Sequence, residues 1–356
     1  MFTVRSRIHD YSVEQFPDLA AVLQSIIPTG SDVVFLVDQC VGELYRGELE
    51  AHLSPARVTY IEATEDQKTL ERLAPVFLSL LAKSVHRDTR LVVIGGGVLQ
   101  DIGCFIASVL FRGIAWELVP TTLLAQADSC IGSKSSINIG QYKNQIGTFY
   151  PPHRVLLTSS FLDTLPWDEV RSGLGEIIKL QLLAGEPEFQ GLMRDLSGFE
   201  NQRGILDKWV ERSLAVKKEY IEQDEFDRGL RNLLNYGHTF GHAYESAANY
   251  AIPHGIAVLL GIVTATYLSA GRGLITNEAY RDLRRTLAPW YQPFDTVLKK
   301  SSRDAIFRAI ARDKKNTRGA VNCILTRGPG RMEKMPLALE TELIPALTAF
   351  FEQELT

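Results

Sequence analysis

"RLVVIGGGVLQD", residues 90–101, is the stretch that decides the fold of this 356-residue chain. A run of β-branched and aliphatic residues stops at three consecutive glycines, and a helical pattern follows, so we expect a helix to begin near Asp101. Such a turn lets backbone N–H groups approach a phosphate at the positive end of the helix. It lacks the GxGxxG spacing, however, and similar turns occur for purely steric reasons. Alone, the stretch predicts a strand–turn–helix unit and leaves phosphate binding open.

The alternation of strand and helix extends to both sides of this stretch. Strands are predicted in "DVVFLVD" (32–38), "ARVTYIEA" (56–63) and "GIAWELVPTTLL" (113–124), the last stopping at Pro120. Between the second of these and residue 90, "LERLAPVFLSLLAKSV" has the apolar spacing of a helix. Strands that alternate with helices indicate a parallel sheet with crossover helices.

The pattern changes after about Ser160. Helical spacing then dominates, and strand signals nearly vanish until "AVNCILTRG". Helices are predicted over residues 168–185, 205–224 and 230–248, and from His254 onward. The sequence therefore predicts an α/β fold with a Rossmann-like parallel-sheet domain, residues 1–158, and a mostly α-helical domain, residues 159–356.

Composition narrows the class of protein. Hydrophobic residues make up 45% of the chain and charged residues 22%, as in ordinary soluble globular proteins. A net charge of −4 argues against a nucleic-acid-binding protein. The four cysteines lack CxxC spacing, which fits reduced thiols in the cytoplasm. The N-terminus has no signal-peptide pattern, and "GIAVLLGIVTATYLSAG" is short for a membrane span, so we expect a cytoplasmic protein with this segment as a buried helix.

Histidines and a glutamate suggest a metal site in the helical half. His238 and His242 lie four residues apart, on one face of a predicted helix, and His254 begins the next one. Catalytic zinc commonly takes three nitrogen or oxygen ligands, which two histidines and Glu176 would supply. A histidine pair without the HExxH glutamate is also common on a protein surface, or in a core where both rings are hydrogen-bonded. From the residues alone, a metal site and a purely structural pair are about equally supported.

Two glycines favour a special packing role for the same segment. Gly237 and Gly241 lie within the helical pattern of "NYGHTFGHAYE", where each costs roughly 1 kcal/mol relative to alanine. Close packing of the helix against a site would explain that cost.

Taken together, the motifs resemble the sugar phosphate cyclase family, and within it the 3-dehydroquinate synthases. The match is collinear from about Glu65 to Lys315. It rests on "GGGVLQD", "FRGI", "PTTLLAQADSCIGSKSSIN", "KNQIGTFYPP", "FLDTLP", "RSGLGEIIK", "LRNLLNYGHTFGHA", "PHGIAV" and "RDKK". The resemblance implies a carbon–oxygen lyase that binds NAD in its N-terminal half and Zn²⁺, or Co²⁺, in its helical half. The family reaction combines transient oxidation, β-elimination of phosphate, re-reduction and an intramolecular aldol closure.

The resemblance also implies roles for individual residues. It assigns the metal to Glu176, His238 and His254, and makes His242 a substrate contact. It assigns NAD contacts to Asp38, Glu65, Lys68, Gly96, Gly97, Val98, Asp101, Thr121, Thr122, Asp128, Lys134, Lys143, Phe161, Leu162 and Thr164. It implies substrate contacts by Arg112, Lys134, Asn144, Lys179, Lys217, Arg231, Asn235, His242 and Lys314 or Lys315. Asp101 is placed to accept hydrogen bonds from ribose hydroxyls, and Arg231 to bind a carboxylate with both arms of its guanidinium.

Several positions depart from the usual 3-dehydroquinate synthase pattern and leave the substrate open. Gln100 replaces a glycine, Ile256 replaces a glutamate, and Thr158 lies in "LLTSS" where an Asp–Thr pair is usual. Arg231 and Asn235 favour a carboxylate-bearing seven-carbon sugar phosphate, 3-deoxy-D-arabino-heptulosonate 7-phosphate.

Other readings of the same motifs stay open. Specialised cyclases acting on sedoheptulose 7-phosphate, glucose 6-phosphate or an amino analogue are the first alternative. A metal- and NAD-dependent polyol dehydrogenase of the glycerol dehydrogenase kind is the second, and a non-catalytic regulatory relative is the third. A homodimer is typical of such enzymes, with no nucleic acid or membrane as partner.

Overall fold

The structure is a computed structural model that describes residues 2–27, 32–140, 142–197, 204–312 and 319–354. The chain forms two compact units. The first comprises Met1–Pro166 and Lys218–Phe226, and the second comprises Trp167–Lys217 and Asp227–Thr356. The boundary predicted at 158/159 lies close to the end of the main segment of the first unit. No sequence pattern indicated that residues 218–226 would belong to the first unit.

Among the described residues, the first unit is built on a seven-stranded sheet with strand order β1-β2-β9-β6-β5-β3-β4. The pair β1–β2 is antiparallel, and the other neighbours are parallel. A separate antiparallel pair, β7–β8, accompanies it. The strands of the unit are β1 Phe2–Val4, β2 Tyr11–Gln15, β3 Val33–Asp38, β4 Val58–Ile61, β5 Arg90–Gly95, β6 Trp116–Pro120, β7 Ile137–Ile139, β8 Tyr142–Ile146 and β9 Arg154–Leu157.

Five helices described in the first unit cover its sheet: α1 Leu19–Ile26, α2 Gln39–Leu44, α3 Arg46–His52, α4 Leu70–Ala82 and α5 Gly97–Val109. The parallel sheet and its strands at the predicted positions confirm the α/β reading. Val92 and Ile94 on one face of β5 and Val93 on the other are fully buried, as expected for parallel strands covered on both faces.

The start of α5 corrects one prediction. The helix begins at Gly97 and not near Asp101. Gly96 alone separates it from β5, with an extended backbone at φ −78° and ψ −171°. The glycine turn is therefore shorter than the sequence suggested, and Asp101 lies in the second turn of the helix.

Within the polar stretch from Asp128 to Pro152, the antiparallel strands β7 and β8 lie against the segment that contains Lys68 and Thr69. The Asn138 N–H donates to the Lys68 carbonyl at 2.8 Å, and Thr69 forms a parallel bridge to Asn138. Its polar side chains are consequently held beside the segment that precedes α4.

The second unit is mostly helical, as predicted. Its helices are α6 Trp167–Ala184, α7 Glu186–Leu196, α8 Gly204–Gln223, α9 His238–Ala247, α10 His254–Gly271, α11 Asn277–Tyr291, α12 Asp295–Lys300, α13 Arg303–Ala311 and α14 Ile344–Glu354. The last turns of α8 belong to the first unit. The antiparallel strands β10 Ala320–Thr326 and β11 Met332–Ala338 complete the unit.

The single helix predicted over residues 230–248 is wrong in its first half. Leu230–Asn235 forms a 3₁₀ turn, and α9 begins only at His238. Gly237 separates the two with φ +82°, a left-handed conformation that a residue with a Cβ rarely adopts. The break places His238 in the first position of α9.

Helix α10 is the central helix of the unit. It is long and apolar enough to cross a membrane by composition, but 78% of that stretch is buried inside the protein. It packs against α6, α9 and α11. The predicted buried helix is thereby confirmed, and its N-terminus carries His254.

Candidate functional site

Glu176 from α6 meets His238 from α9 and His254 from α10. The Nε2 atom of His254 lies 3.1 Å from Glu176 Oε1, and the Nε2 atom of His238 lies 3.5 Å from the same oxygen. Two ligands about 2.0–2.1 Å from a tetrahedral ion are about 3.4 Å apart, so these spacings fit donors to one metal. The ring nitrogens of His238, His242 and His254 also lie within 4.8 Å of one another.

The other ring nitrogen of each proposed histidine ligand has a partner that orients it. His254 Nδ1 lies 3.2 Å from both carboxylate oxygens of Glu245, and His238 Nδ1 lies 3.3 Å from the Tyr236 carbonyl oxygen. A carboxylate or carbonyl that accepts the Nδ1 hydrogen leaves Nε2 as the metal donor, the usual arrangement of histidine ligands.

Charged side chains surround the carboxylate of Glu176. Lys179 Nζ lies 2.5 Å from Glu176 Oε2, and both side chains are almost fully buried. Burial lowers the pKa of His254, but Glu245 and Glu176 outweigh it and raise that pKa to about 10. The pocket around His254 thus favours a positive charge, which a proton or a metal cation can supply.

Glycines beside the proposed ligands bring the three helices together. A Cβ on Gly175 would lie 2.1 Å from the Gly255 carbonyl oxygen, and a Cβ on Gly255 would lie 1.8 Å from the Ser172 carbonyl oxygen. A Cβ on Gly237 would lie 2.6 Å from the Val258 carbonyl oxygen. Each proposed ligand therefore follows or precedes a glycine at a helix contact. The sequence-based expectation of close packing at Gly237 is confirmed.

We predict that Glu245→Ala weakens zinc binding about 10- to 100-fold, because His254 loses the carboxylate that orients its ring. Competition with a chromogenic chelator measures the affinity. Glu278→Ala, at an exposed position in the first turn of α11, is the control and should bind zinc as the wild type does. Unchanged affinity in Glu245→Ala would show that this carboxylate does not support a ligand.

The glycine turn after β5 is held tightly in the first unit. A Cβ on Gly96 would lie 2.9 Å from Thr122 Cγ2, so glycine is needed there to let the two turns approach. The Thr121 N–H donates to the Gly95 carbonyl at 3.1 Å, and Thr122 Oγ1 accepts from the Ala125 N–H at 3.2 Å. The ends of β5 and β6 thus form one compact backbone surface at the start of α5.

A charged cluster lies next to this surface. Lys68 Nζ is 3.0 Å from Asp101 Oδ2 and 3.4 Å from Glu65 Oε1, and Lys143 Nζ is 3.5 Å from the same Glu65 oxygen. Burial raises the pKa of Glu65, but Lys68, Asn138 and Lys143 outweigh burial and hold it below its usual value. Glu65, Lys68, Asp101 and Lys143, all assigned to NAD by the resemblance, therefore occur together.

Asp101 has partners that the sequence did not indicate. Its Oδ1 accepts from the Ser136 N–H at 3.0 Å, and its Oδ2 accepts from the Ser136 hydroxyl at 2.8 Å. The carboxylate therefore ties α5 to the segment before β7. Its contact with a ribose stays a prediction.

The remaining residues assigned to NAD occupy several local settings in the first unit. Asp38 caps α2 by accepting from the Cys40 N–H at 2.9 Å, and the Thr164 hydroxyl lies 2.9 Å from the Tyr45 hydroxyl. Side chains of Phe161 and Leu162 are buried in the core, so only their backbone could reach a cofactor. Gly97 and Val98 form the first turn of α5, Asp128 is nearly buried, and Lys134 lies 6.0 Å above the Phe149 ring.

The residues assigned to substrate are spread over both units. In the first, Arg112 is exposed with a left-handed backbone at φ +66°, and the Asn144 N–H donates to Asn138 Oδ1 at 2.8 Å. In the second, Lys217 and Arg231 are buried, and the Asn235 amide donates to the Asn232 carbonyl at 3.0 Å. Lys314 and Lys315 lie outside the described residues.

Comparison with protein families settles the relationship. Residues 58–172 match the 3-dehydroquinate synthase N-terminal domain, and residues 173–316 match the 3-dehydroquinate synthase C-terminal domain. The chain belongs to the 3-dehydroquinate synthase family. Members of this family are enzymes, carbon–oxygen lyases that catalyse a cyclisation. The suspected resemblance is confirmed.

The chain is also similar in sequence to an individual 3-dehydroquinate synthase and in fold to two solved cyclase structures. The chain is 33% identical to the 3-dehydroquinate synthase of Streptococcus pyogenes serotype M3 over 332 residues, 92% of each protein. The 2-epi-5-epi-valiolone synthase ValA of Streptomyces hygroscopicus, solved with NAD⁺ and Zn²⁺, is 29% identical with a TM-score of 0.81, covering 97% of both chains. A 2-deoxy-scyllo-inosose synthase with carbaglucose-6-phosphate, NAD⁺ and Co²⁺ shares the fold at 23% identity and a TM-score of 0.86, covering 96% of this chain and 98% of that chain.

Two departures from the 3-dehydroquinate synthase pattern have local structural reasons. The Gln100 side chain donates to the Ser129 carbonyl and accepts from the Ser129 hydroxyl at 2.7 Å, which satisfies its buried amide. Ile256 is fully buried in α10. An apolar side chain at that position needs no hydrogen-bond partner, so the change is compatible with the core.

Sequence reasoning missed three residues that help to form the proposed sites. Glu245 contacts His254, Ser136 contacts Asp101, and Gly255, which follows His254, packs against Ser172 and Gly175. The one usable signal was for Glu245, which lies seven residues after His238 and therefore on the same face of α9.

Proposed function

We propose that this protein converts 3-deoxy-D-arabino-heptulosonate 7-phosphate to 3-dehydroquinate and phosphate, with NAD and Zn²⁺ as cofactors. The observation that carries the proposal is the meeting of Glu176, His238 and His254 in a chain that shares its family with 3-dehydroquinate synthases. Co²⁺ suits the same donors. The products contain a new carbon ring and free phosphate, and the substrate is neither oxidised nor reduced overall.

The proposed metal residues are Glu176, His238 and His254, supported by their spacing and by Glu245 and the Tyr236 carbonyl behind the rings. When bound, the metal acts as a Lewis acid on a substrate hydroxyl, and NAD acts as a temporary hydride acceptor. Lys179 neutralises the second oxygen of Glu176, so that Glu176 Oε1 alone faces the two imidazoles.

The proposed NAD site uses the backbone around Gly96 and Gly97, with the cluster of Glu65, Lys68 and Asp101 beside it. Its support is the N-terminus of α5, where Gly96 offers no side-chain cap and the helix dipole favours a phosphate. The other residues we assign to it are Asp38, Val98, Thr121, Thr122, Asp128, Lys134, Lys143, Phe161, Leu162 and Thr164.

The proposed substrate contacts are cationic because the substrate has a phosphate and a carboxylate. We assign the phosphate to Arg112, Lys179 and His242, and the carboxylate to Arg231. Arg231 is 5% exposed, so an anion bound to it would be shielded from water and held by a bidentate pair. Lys134, Asn144, Lys217, Asn235 and Lys314 or Lys315 complete the set. We further propose a cytoplasmic homodimer.

A substrate panel with phosphate release as the readout tests the proposed reaction. Heptulosonate 7-phosphate, sedoheptulose 7-phosphate and glucose 6-phosphate are each offered with NAD and Zn²⁺. We expect phosphate release from the first alone, with 3-dehydroquinate as product. Turnover of sedoheptulose 7-phosphate alone would assign the protein to the valiolone-type cyclases instead. Accumulation of NADH without phosphate would assign it to the polyol dehydrogenases.

Arg231→Ala is expected to lower kcat/KM for heptulosonate 7-phosphate by about 30- to 5,000-fold, or about 2–5 kcal/mol, because the substrate carboxylate loses its buried partner. Steady-state phosphate release measures the effect. Arg228→Ala, three residues earlier and exposed, is the control and should retain wild-type kinetics. If Arg231→Ala were as active as the control, a carboxylate-bearing substrate would be the wrong assignment.

A further inference from the structure

The strands β7 and β8 pair through a bulge and not in a regular register. Ile137 lies opposite Ile146 and Ile139 lies opposite Tyr142, so one residue of β7, Asn138, faces three residues of β8. A regular antiparallel pair places one residue opposite one, so β8 contains two extra residues at this point. Bulges change the direction of side chains and are frequent beside active sites.

The bulge contains Lys143 and Asn144, which the proposed function assigns to NAD and to the substrate. Asn144 has a left-handed backbone at φ +55°, a conformation that asparagine adopts more readily than most residues. Its N–H donates to the side-chain oxygen of Asn138 at 2.8 Å. The side chain of Asn138 therefore supplies the acceptor for the backbone of the bulge.

The nitrogen of the same amide group reaches Glu65. Asn138 Nδ2 donates to Glu65 Oε1 at 2.9 Å and to the Glu65 carbonyl oxygen at 3.4 Å. The backbone N–H of Asn138 donates to the Lys68 carbonyl at 2.8 Å, and the residue is only 5% exposed. The oxygen and the nitrogen of this buried amide are thus both used, one toward Asn144 and the other toward Glu65.

We propose that Asn138 is a positioning residue that links the NAD site to the substrate site through its side-chain amide. Because the amide is planar and rigid, the position of Glu65 fixes the position of the Asn144 backbone. NAD bound beside Glu65 therefore helps to place Asn144 for the sugar. The inference rests on the proposed function, which assigns Glu65 to NAD and Asn144 to the substrate.

Two substitutions separate the two ends of the amide. Asn138→Asp keeps an oxygen for the Asn144 N–H but faces Glu65 with a second carboxylate, whereas Asn138→Ala removes both ends. We expect both variants to bind NAD about 10- to 150-fold more weakly in the absence of sugar, because a hydrogen bond to a charged group is lost. Isothermal titration calorimetry of the full chain with NAD measures this affinity.

The Michaelis constant for the sugar distinguishes positioning from a merely structural role. At saturating NAD, the KM for heptulosonate 7-phosphate should stay near the wild-type value in Asn138→Asp. It should rise about 2- to 10-fold in Asn138→Ala, where the backbone of Asn144 loses one hydrogen bond. Asn277→Asp, at an exposed position at the start of α11, is the control and should match the wild type in both measurements.

Three results would overturn the proposal. Wild-type NAD affinity in Asn138→Asp would exclude the link to Glu65, and a wild-type KM in Asn138→Ala would exclude the link to Asn144. An equal rise of KM in both variants would show a structural role only. Failure of the proposed function looks different, because the wild type would then release no phosphate from that sugar, while the NAD affinities would still separate Asn138→Asp from the control.

Discussion

His254→Ala is expected to lower phosphate release at least about a thousandfold and to leave the purified protein with little bound metal. Of the two proposed histidine ligands, His254 lies closer to Glu176, at 3.1 Å, and it starts the central helix of its unit. Lewis-acid activation of a hydroxyl supplies several kcal/mol, and about 4 kcal/mol corresponds to a thousandfold in rate. Metal content by atomic emission and phosphate release from the same sample measure both effects.

The matched control for His254→Ala is His52→Ala. His52 lies in α3, where its Nδ1 atom is 2.9 Å from the Glu48 carbonyl oxygen of the same helix. The control should retain both metal and activity. Circular dichroism of both variants separates loss of the ligand from loss of the fold. A folded His254→Ala protein with full metal content and wild-type activity would exclude His254 as a ligand.

Gly255→Ala is expected to destabilise the second unit by about 3 kcal/mol, near the upper end of the usual range for overpacked cores, and to weaken metal binding with it. The added Cβ would lie 1.8 Å from the Ser172 carbonyl oxygen, which is backbone and cannot rotate away. The Gly255 N–H also donates to the Ser172 hydroxyl at 3.0 Å, a hydrogen bond that requires the same close approach. Separation of α6 from α10 would therefore move Glu176 away from His254.

Gly271→Ala, at the last residue of the same helix, is the control for this change. A Cβ there would meet no atom within 4 Å, so alanine should be tolerated and should stabilise the helix by up to about 1 kcal/mol. Urea unfolding measures the free energy of unfolding of both variants. Repeating it with Zn²⁺ shows how much metal binding stabilises each of them. If Gly255→Ala unfolded at the wild-type urea concentration and bound Zn²⁺ normally, the glycine contact would not position the site.

Local sequence patterns were sufficient for much of the architecture. The strand at "RLVVIGGG" and the helix around Glu176 are present where the patterns indicated them. The helix before Gly237 was wrong, because apolar spacing in "LRNLLN" is shared by a 3₁₀ turn, and because the left-handed glycine that ends it has no signature in spacing. The start of α5 was misplaced since three successive glycines do not show which one turns the chain.

For the proposed site, the sequence by itself supplied the residue types and their helical faces: a carboxylate, two histidines one turn apart, and a third at the start of another helix. Only the tertiary structure decided that His254 faces both Glu176 and Glu245, that Asp101 is held by Ser136 and Lys68, and that His242 joins the other rings. The reason is physical. Periodicity reports the direction of a side chain within its own helix or strand, whereas the distance between Glu176 and His254 depends on how closely two helices pack. That distance depends on backbone contacts at Gly175 and Gly255, residues far apart in the chain.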